Sequence, residues 1–154
     1  MKIRQATASD ADEIARIINA AFEIEREFRR GERTSPSEVL TSMSRNHEIF
    51  LVAEEGDRLT GAVEVRVDGD AGYFGMLAVD ASVRRGGIGR ALVEAAEAHC
   101  LRAGCSVMTM STCENRTELI PYYEKMGYRV TAVEPSTNPV FKYPIRVANM
   151  EKPL

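Results

Sequence analysis

Residues 73 to 90 read Tyr73-Phe74-Gly75-Met76-Leu77-Ala78-Val79-Asp80-Ala81-Ser82-Val83-Arg84-Arg85-Gly86-Gly87-Ile88-Gly89-Arg90, and their pattern decides the fold. Tyr73 to Val79 is apolar throughout, as expected of a strand buried on both faces. Gly75 inside it marks a bulge or a close backbone approach. A helix is expected from about Gly87 to Ala103, with Gly104 ending it. Between strand and helix, Gly86, Gly87 and Gly89 have no Cβ, so an anion can approach the backbone N–H groups. Those groups are the unpaired donors of a helix first turn, and the helix dipole adds favourable charge. Arg84, Arg85 and Arg90 add cations. The arrangement suits a pyrophosphate. It lacks the spacing of a dinucleotide fingerprint and the Gly-Lys-Ser/Thr of a P-loop. A glycine turn alone is also compatible with a mere tight turn.

Working outward, the first strand is expected over Lys2 to Ala6. Ser9 is the expected N-cap of a helix whose first turn carries Asp10, Asp12 and Glu13. Ile14, Ile17, Ile18, Ala21 and Phe22 give that helix one apolar face. A charged stretch, Glu23 to Arg33, follows. Ser35-Pro36-Ser37-Glu38 then reads as a capped helix start with a capping box. Strands are expected at Ile49 to Glu54 and Leu59 to Val67, turned by Glu55-Gly56-Asp57. After the long helix come a strand (Cys105 to Thr112), a short helix (Glu118 to Met126) and strands at Tyr128 to Val133 and Ile145 to Glu151. The order is β-α-α-β-β-β-α-β-α-β-β: a mixed α/β sheet with an antiparallel meander and then crossovers. With no repeat or linker in sight, residues 1–154 read as one domain.

Apolar residues make up 44% of the 154 and charged residues 28%, with a net charge of −3. That argues against a nucleic-acid partner. Apolar runs fall short of the ~18 residues that span a bilayer, and the N-terminus lacks the apolar core of a signal peptide. Cys100, Cys105 and Cys113 form no CxxC, and His47 and His99 are the only histidines, so no metal is expected. Reduced thiols and a cytoplasmic location are the corresponding expectations.

Arg84-x-x-Gly87-x-Gly89 resembles the Q/R-x-x-G-x-G/A motif of the GCN5-related N-acetyltransferases (GNAT). Met76-Leu77-Ala78-Val79-Asp80 resembles the family's strand before the loop, and Pro121-Tyr122-Tyr123-Glu124-Lys125-Met126-Gly127-Tyr128 its FYEKLGF segment. Together with the element order, the resemblance covers nearly the whole chain. It implies the GNAT acyl-CoA N-acyltransferase fold, with the fourth and fifth strands splayed and acetyl-CoA in the gap. It implies that the backbone of Leu77 and Val79, flanking Ala78, pairs with the pantetheine arm. It also implies that Arg84, Arg85, Gly86, Gly87, Ile88, Gly89 and Arg90 hold the pyrophosphate, with Tyr122 in the same cofactor site. Family members often place an asparagine seven residues before the FYEK tyrosine. Asn115 precedes Tyr123 by eight and Tyr122 by seven, so it is the candidate for that contact, either with one extra residue in the loop or with a shifted frame.

The implied reaction is transfer of an acetyl group from acetyl-CoA to an amine of a small molecule or peptide, in a ternary complex. The alternative is an acyl-CoA-binding sensor or scaffold without transfer. The family resemblance makes Tyr123 the donor to the leaving thiolate, against a plain packing role. Glu64 is the candidate base, against pairing with Arg66 or solvent. The bulge near Met76–Leu77 is the candidate oxyanion donor. Glu23, Glu25 and Glu27 read as a solvated face or as an attraction for a cationic amine. His99 reads as a core-edge histidine and Cys113 as a passive thiol. Phe22, Phe28 and Arg33 are expected to shape the acceptor site. A homodimer is expected by analogy, with the C-terminal strand as a free edge.

Overall fold

A computed structural model describes residues 1–154, apart from the side chains of Arg84 and Arg85. The elements run β1 (Lys2–Gln5), α1 (Ala11–Ala21), α2 (Pro36–Met43), β2 (Glu48–Glu55), β3 (Arg58–Asp68), β4 (Ala71–Val79), α3 (Ile88–Arg102), β5 (Val107–Cys113), α4 (Leu119–Glu124), β6 (Arg129–Ser136) and β7 (Ile145–Pro153). This is the order expected from the sequence.

Seven strands form one sheet in the order β1-β2-β3-β4-β5-β7-β6. The first four make an antiparallel meander. β4 and β5 are parallel and pair only from Ala71↔Val107 to Tyr73↔Thr109. Beyond Tyr73, β5 leaves β4 and runs antiparallel to β7 as far as Cys113↔Val147. The C-terminal strand is therefore interior, between β5 and β6, and not the free edge expected. Returning there gives β7 ladder partners on both sides; the edges are β1 and β6.

One face of the sheet packs on α3, through Val63, Val65 and Phe74 against Leu92, Val93 and Ala96. α1 and α2 cover the other, with Ile14, Ile17, Ile18 and Val39 against Phe50, Val52 and Ala62. Each fully buried isoleucine contributes roughly 1.5–3 kcal/mol before entropy is counted. α3 lies very close to the sheet where β4 begins. A Cβ on Gly72 would stand 2.6 Å from Cys100 Sγ. No helix is long and apolar enough to cross a membrane among the described residues.

Two helix starts differ from expectation. Before α1, a 3-10 turn (Ala8–Asp10) carries the cap: Thr7 N–H donates to Asp10 Oδ2 at 2.8 Å, and Ser9 bonds only to the Thr7 hydroxyl. At α2, Ser35 Oγ accepts from Glu38 N–H at 3.2 Å as expected. Glu38, however, accepts from Thr34 Oγ1 rather than closing the box. After α1 the chain tightens into a 3-10 turn, Glu23–Glu27, which changes the phase of the charged run and turns Glu25 inward.

Arg4 ties this end of the chain together, donating to Asp10 at 2.8 Å and to Glu54 at 2.9 Å. The hydrogen bond from Arg4, followed by that from the Thr7 backbone, holds the Asp10 carboxyl below its ordinary value of 3.8. A depressed folded pKa stabilises fully above the unfolded pKa and is lost as pH falls through the folded one. Asp10→Asn should therefore lower Tm at neutral pH and flatten the fall in Tm below about pH 4. An unchanged acid limb in a pH series of thermal melts would show that Asp10 does not carry it.

Candidate functional site: a cleft between parting strands

Where β5 leaves β4, a cleft of about 1130 Å³ opens. The last shared position is closed by Thr109, whose hydroxyl donates to Gly72 O at 2.8 Å. From Phe74 to Val79, β4 has no partner on its β5 side, and all of these residues line the cleft. Opposite Val63 the register with β3 slips by one residue. Met76 takes φ +51 there, so the bulge falls at Met76–Leu77. Gly75, read as a bulge or close approach, is the latter: a Cβ would stand 2.6 Å from the Tyr73 hydroxyl.

The cleft runs to the start of α3. Asp80 caps the preceding 3-10 turn by accepting from Ser82 N–H at 3.0 Å. That bond, with the Ser82 hydroxyl and Arg58, holds the Asp80 carboxyl down to about 2. Gly87 is the α3 N-cap at φ +70, ψ +20, a conformation that L side chains rarely adopt. Gly87, Gly89 and Arg90 line the cleft. The first intrahelical bond of α3 is Ala91 N–H to Gly87 O, which leaves the N–H groups of Ile88, Gly89 and Arg90 without helical acceptors. Ile88 contributes only backbone, since its side chain is in the core. Gly86 is exposed, and a Cβ on it would meet nothing closer than 3.6 Å. Arg90 pairs with Glu94 at 3.2 Å. The side chains of Arg84 and Arg85, expected cations of the loop, lie outside what the structure describes. Free amides at a helix N-terminus beside an unpaired strand edge fit an acyl-CoA: the first suits a pyrophosphate and the second an amide-bearing arm.

Tyr122 and Tyr123 meet edge to face, ring centroids 5.1 Å apart, yet they do different things. The Tyr122 hydroxyl reaches the first turn of α3, where a Cβ on Gly89 would stand 2.6 Å from it. Tyr123 is buried against Phe74 and Tyr128 at ring distances of 5.7 and 6.3 Å. Burial pushes its phenol well above the ordinary range. Its hydroxyl makes no hydrogen bond among the described residues. It is also not among their fully enclosed unpartnered polar atoms, so it opens on the cleft it lines.

At the other end, the segment after α1 and the β6–β7 connection wall the cleft. Phe28, Cys113 and Ile145 form a small core with Phe141. Arg30 N–H to Val140 O and Lys142 N–H to Phe28 O join the two segments at 2.8 Å each. Glu25, only 3% exposed, holds Arg29 at 3.2 Å and Arg116 at 2.9 Å. It thereby ties the turn after α1 to the loop before α4. Phe22 and Arg33 line the cleft as expected, whereas Phe28 is withdrawn into the small core. Tyr73 lines it and was not anticipated.

Glu64 is not among the cleft-lining residues. It sits on the α1 side of β3, in register with Gly75 and 3.9 Å from Arg66. Burial pushes its carboxyl up. Asn115 is exposed and outside the cleft wall; its neighbour Arg116 lines it instead. Cys113 is buried and its thiol is pushed up by that burial, which leaves it a poor nucleophile. Cys100 is likewise pushed up, to about 11.

The chain belongs to the Acetyltransferase (GNAT) family, whose model matches residues 12–128. Among curated proteins it is similar to an acetyltransferase of Yersinia enterocolitica, 29% identical over 91 residues, which are 59% of this chain and 64% of that one. The aligned part thus falls short of two thirds of those relatives' length. Among solved structures it is similar to a ribosomal-protein-alanine N-acetyltransferase from Brucella melitensis, with TM-score 0.83 and 19% identity over all of both chains. It is also similar to yncA, a putative acetyltransferase from Salmonella typhimurium in complex with acetyl-CoA, with TM-score 0.79 and 21% identity over 99% of this chain and 93% of that one. Both likenesses establish the fold.

Glu25→Gln leaves two guanidinium groups facing each other with their shared carboxylate gone. Denaturant unfolding should show a loss of about 3 kcal/mol. Glu23→Gln, at a carboxylate 66% exposed, should stay within about 0.5 kcal/mol. Equal effects would mean that Glu25 is no hub.

Proposed function

We propose that this chain is an acetyl-CoA-dependent N-acetyltransferase acting on an amine of a small molecule or peptide, with donor and acceptor bound together. The observation that carries the reading is the stretch Phe74–Val79, an unpaired strand edge that ends beside the first turn of α3, with Tyr123 lining the same cleft. In this reading Leu77, Ala78 and Val79 receive the pantetheine arm as an added strand, and the amides of residues 85 to 90 receive the pyrophosphate. Tyr122 sets the position of that first turn. Asn115 takes no part in it.

Bound acetyl-CoA supplies the activated acetyl group: a C–N bond forms to the amine, the C–S bond breaks, and a thiol is released. The backbone N–H groups of the Met76–Leu77 bulge orient the carbonyl oxygen and stabilise its developing charge. Tyr123 Oη gives the departing sulfur its proton and is restored by the proton that the nitrogen loses as the amide forms; the upward shift of its phenol keeps it protonated at neutral pH. A free ammonium of pKa about 10.4 must lose a proton before it can attack. We assign that proton to the Glu64 carboxylate at the end of a water chain, since Glu64 lies outside the cleft lining and is paired with Gly75 of the cleft wall. Glu48 adds to the upward shift of Glu64, while Arg66, Arg33 and Arg45 oppose it.

Thiol release from acetyl-CoA with a panel of amines tests the activity, and binding of CoA without release would leave a sensor or scaffold. Tyr123→Phe should lower kcat by about 100-fold or more while sparing acetyl-CoA binding. Full activity in that variant would move the role elsewhere. In the wild type, kcat/KM should rise with pH through an acid limb above the ordinary 4.5 of a glutamate. Glu64→Gln should remove that limb along with most of the activity. A limb that persists unchanged would exclude Glu64.

A further inference from the structure

Three guanidinium groups, Arg29, Arg33 and Arg116, line the acceptor end of the cleft together with two carboxylates, Glu25 and Glu118. Glu25 is already engaged by Arg29 and Arg116, and Arg116 also reaches Glu118 at 3.3 Å. Arg33 has neither an ion pair nor a hydrogen bond among the described residues. Its Nε is fully enclosed and has no partner. Burial and the nearby Arg29 push its pKa down, as expected of a cation that lacks an anion. Its guanidinium lies 5.4 Å from the Phe22 ring centroid. That contact restrains the planar group and leaves its terminal Nη groups for a ligand.

We propose that Arg33 anchors a carboxylate of the acceptor, so that the substrate is an amine that also carries a carboxylate, of the amino-acid type. This rests on the transfer reading above and names its substrate class. A simple cationic amine entering this end would meet the unpaired Arg33 guanidinium. A zwitterion brings its own anion, and a carboxylate matches the guanidinium fork with two parallel hydrogen bonds. A carboxylate held there accepts from the two Nη groups, which have no hydrogen-bond partner among the described residues and are not enclosed as Nε is.

The test uses the whole chain saturated with CoA and a panel of L-amino acids, each beside its carboxamide. Binding is read by calorimetry on the CoA-saturated chain, and turnover by thiol release in separate reactions with acetyl-CoA and no added CoA. At least one amino acid should bind about tenfold or more tighter than its amide. Arg33→Gln should weaken that acid by about 10- to 100-fold, leaving its amide and CoA unaffected. Arg33→Lys, which keeps the charge but loses the fork, should recover only part of the preference. Acids and amides binding alike in the wild type, or losing affinity equally in Arg33→Gln while CoA still binds, would overturn the proposal. Selective acid binding without thiol release would instead sink the transfer reading and leave the carboxylate anchor standing.

Discussion

A β-strand with an empty edge beside it is costly unless something pairs with its backbone, and here β4 has six such residues, Phe74 to Val79. The parting of β4 from β5 after three residue pairs creates this edge. β5 can leave because β7 offers it a full antiparallel ladder from Val107↔Pro153 to Cys113↔Val147. β4 can remain alone on that side because β3 and α3 hold its other edge and one face. The bulge at Met76–Leu77 sits midway along the free stretch and tilts the strand where it meets the cleft. Every element assigned to the donor lies along this edge, from the Tyr123 hydroxyl to the amides of α3.

At the far end, a buried ion-pair set is added to the backbone pairing and small core that join the two segments. Glu25 joins two segments 91 residues apart through Arg116, and the Arg29–Phe141 contact, 4.9 Å from guanidinium carbon to ring centroid, reinforces the same wall. The wall depends on one buried carboxylate holding two cations. A third cation, Arg33, is left without an anion. Structural ion pairing and ligand recognition thus compete for the same charges, and both carboxylates of this wall, Glu25 and Glu118, go to structure.

The donor half of this design was legible in the chain because it depends on local rules. Gly87 must reach positive φ, Gly89 must lack a Cβ, and an apolar strand must precede a helix start. Each leaves a mark within a few residues. The acceptor half depends on contacts between distant segments. Glu25 reads as one member of an acidic run, and only the 3-10 turn Glu23–Glu27 rotates it into the interior. The interior place of β7 follows from long-range pairing that no short window contains. Tyr73 reads as a strand tyrosine, and its reach over Gly75 depends on the missing Cβ two residues on. Asn115 was matched by spacing alone, and the loop presents its neighbour Arg116 to the cleft instead.

The central claim is that the first turn of α3, at the end of the free β4 edge, is the handle for CoA. Gly87→Glu tests it most directly, because it puts a carboxylate and a Cβ at a φ +70 position that faces open space. Isothermal titration with CoA should show binding by the wild type and loss of measurable binding by a variant whose circular dichroism remains that of the native fold. Undiminished CoA affinity in a folded Gly87→Glu chain would contradict the account at its strongest point.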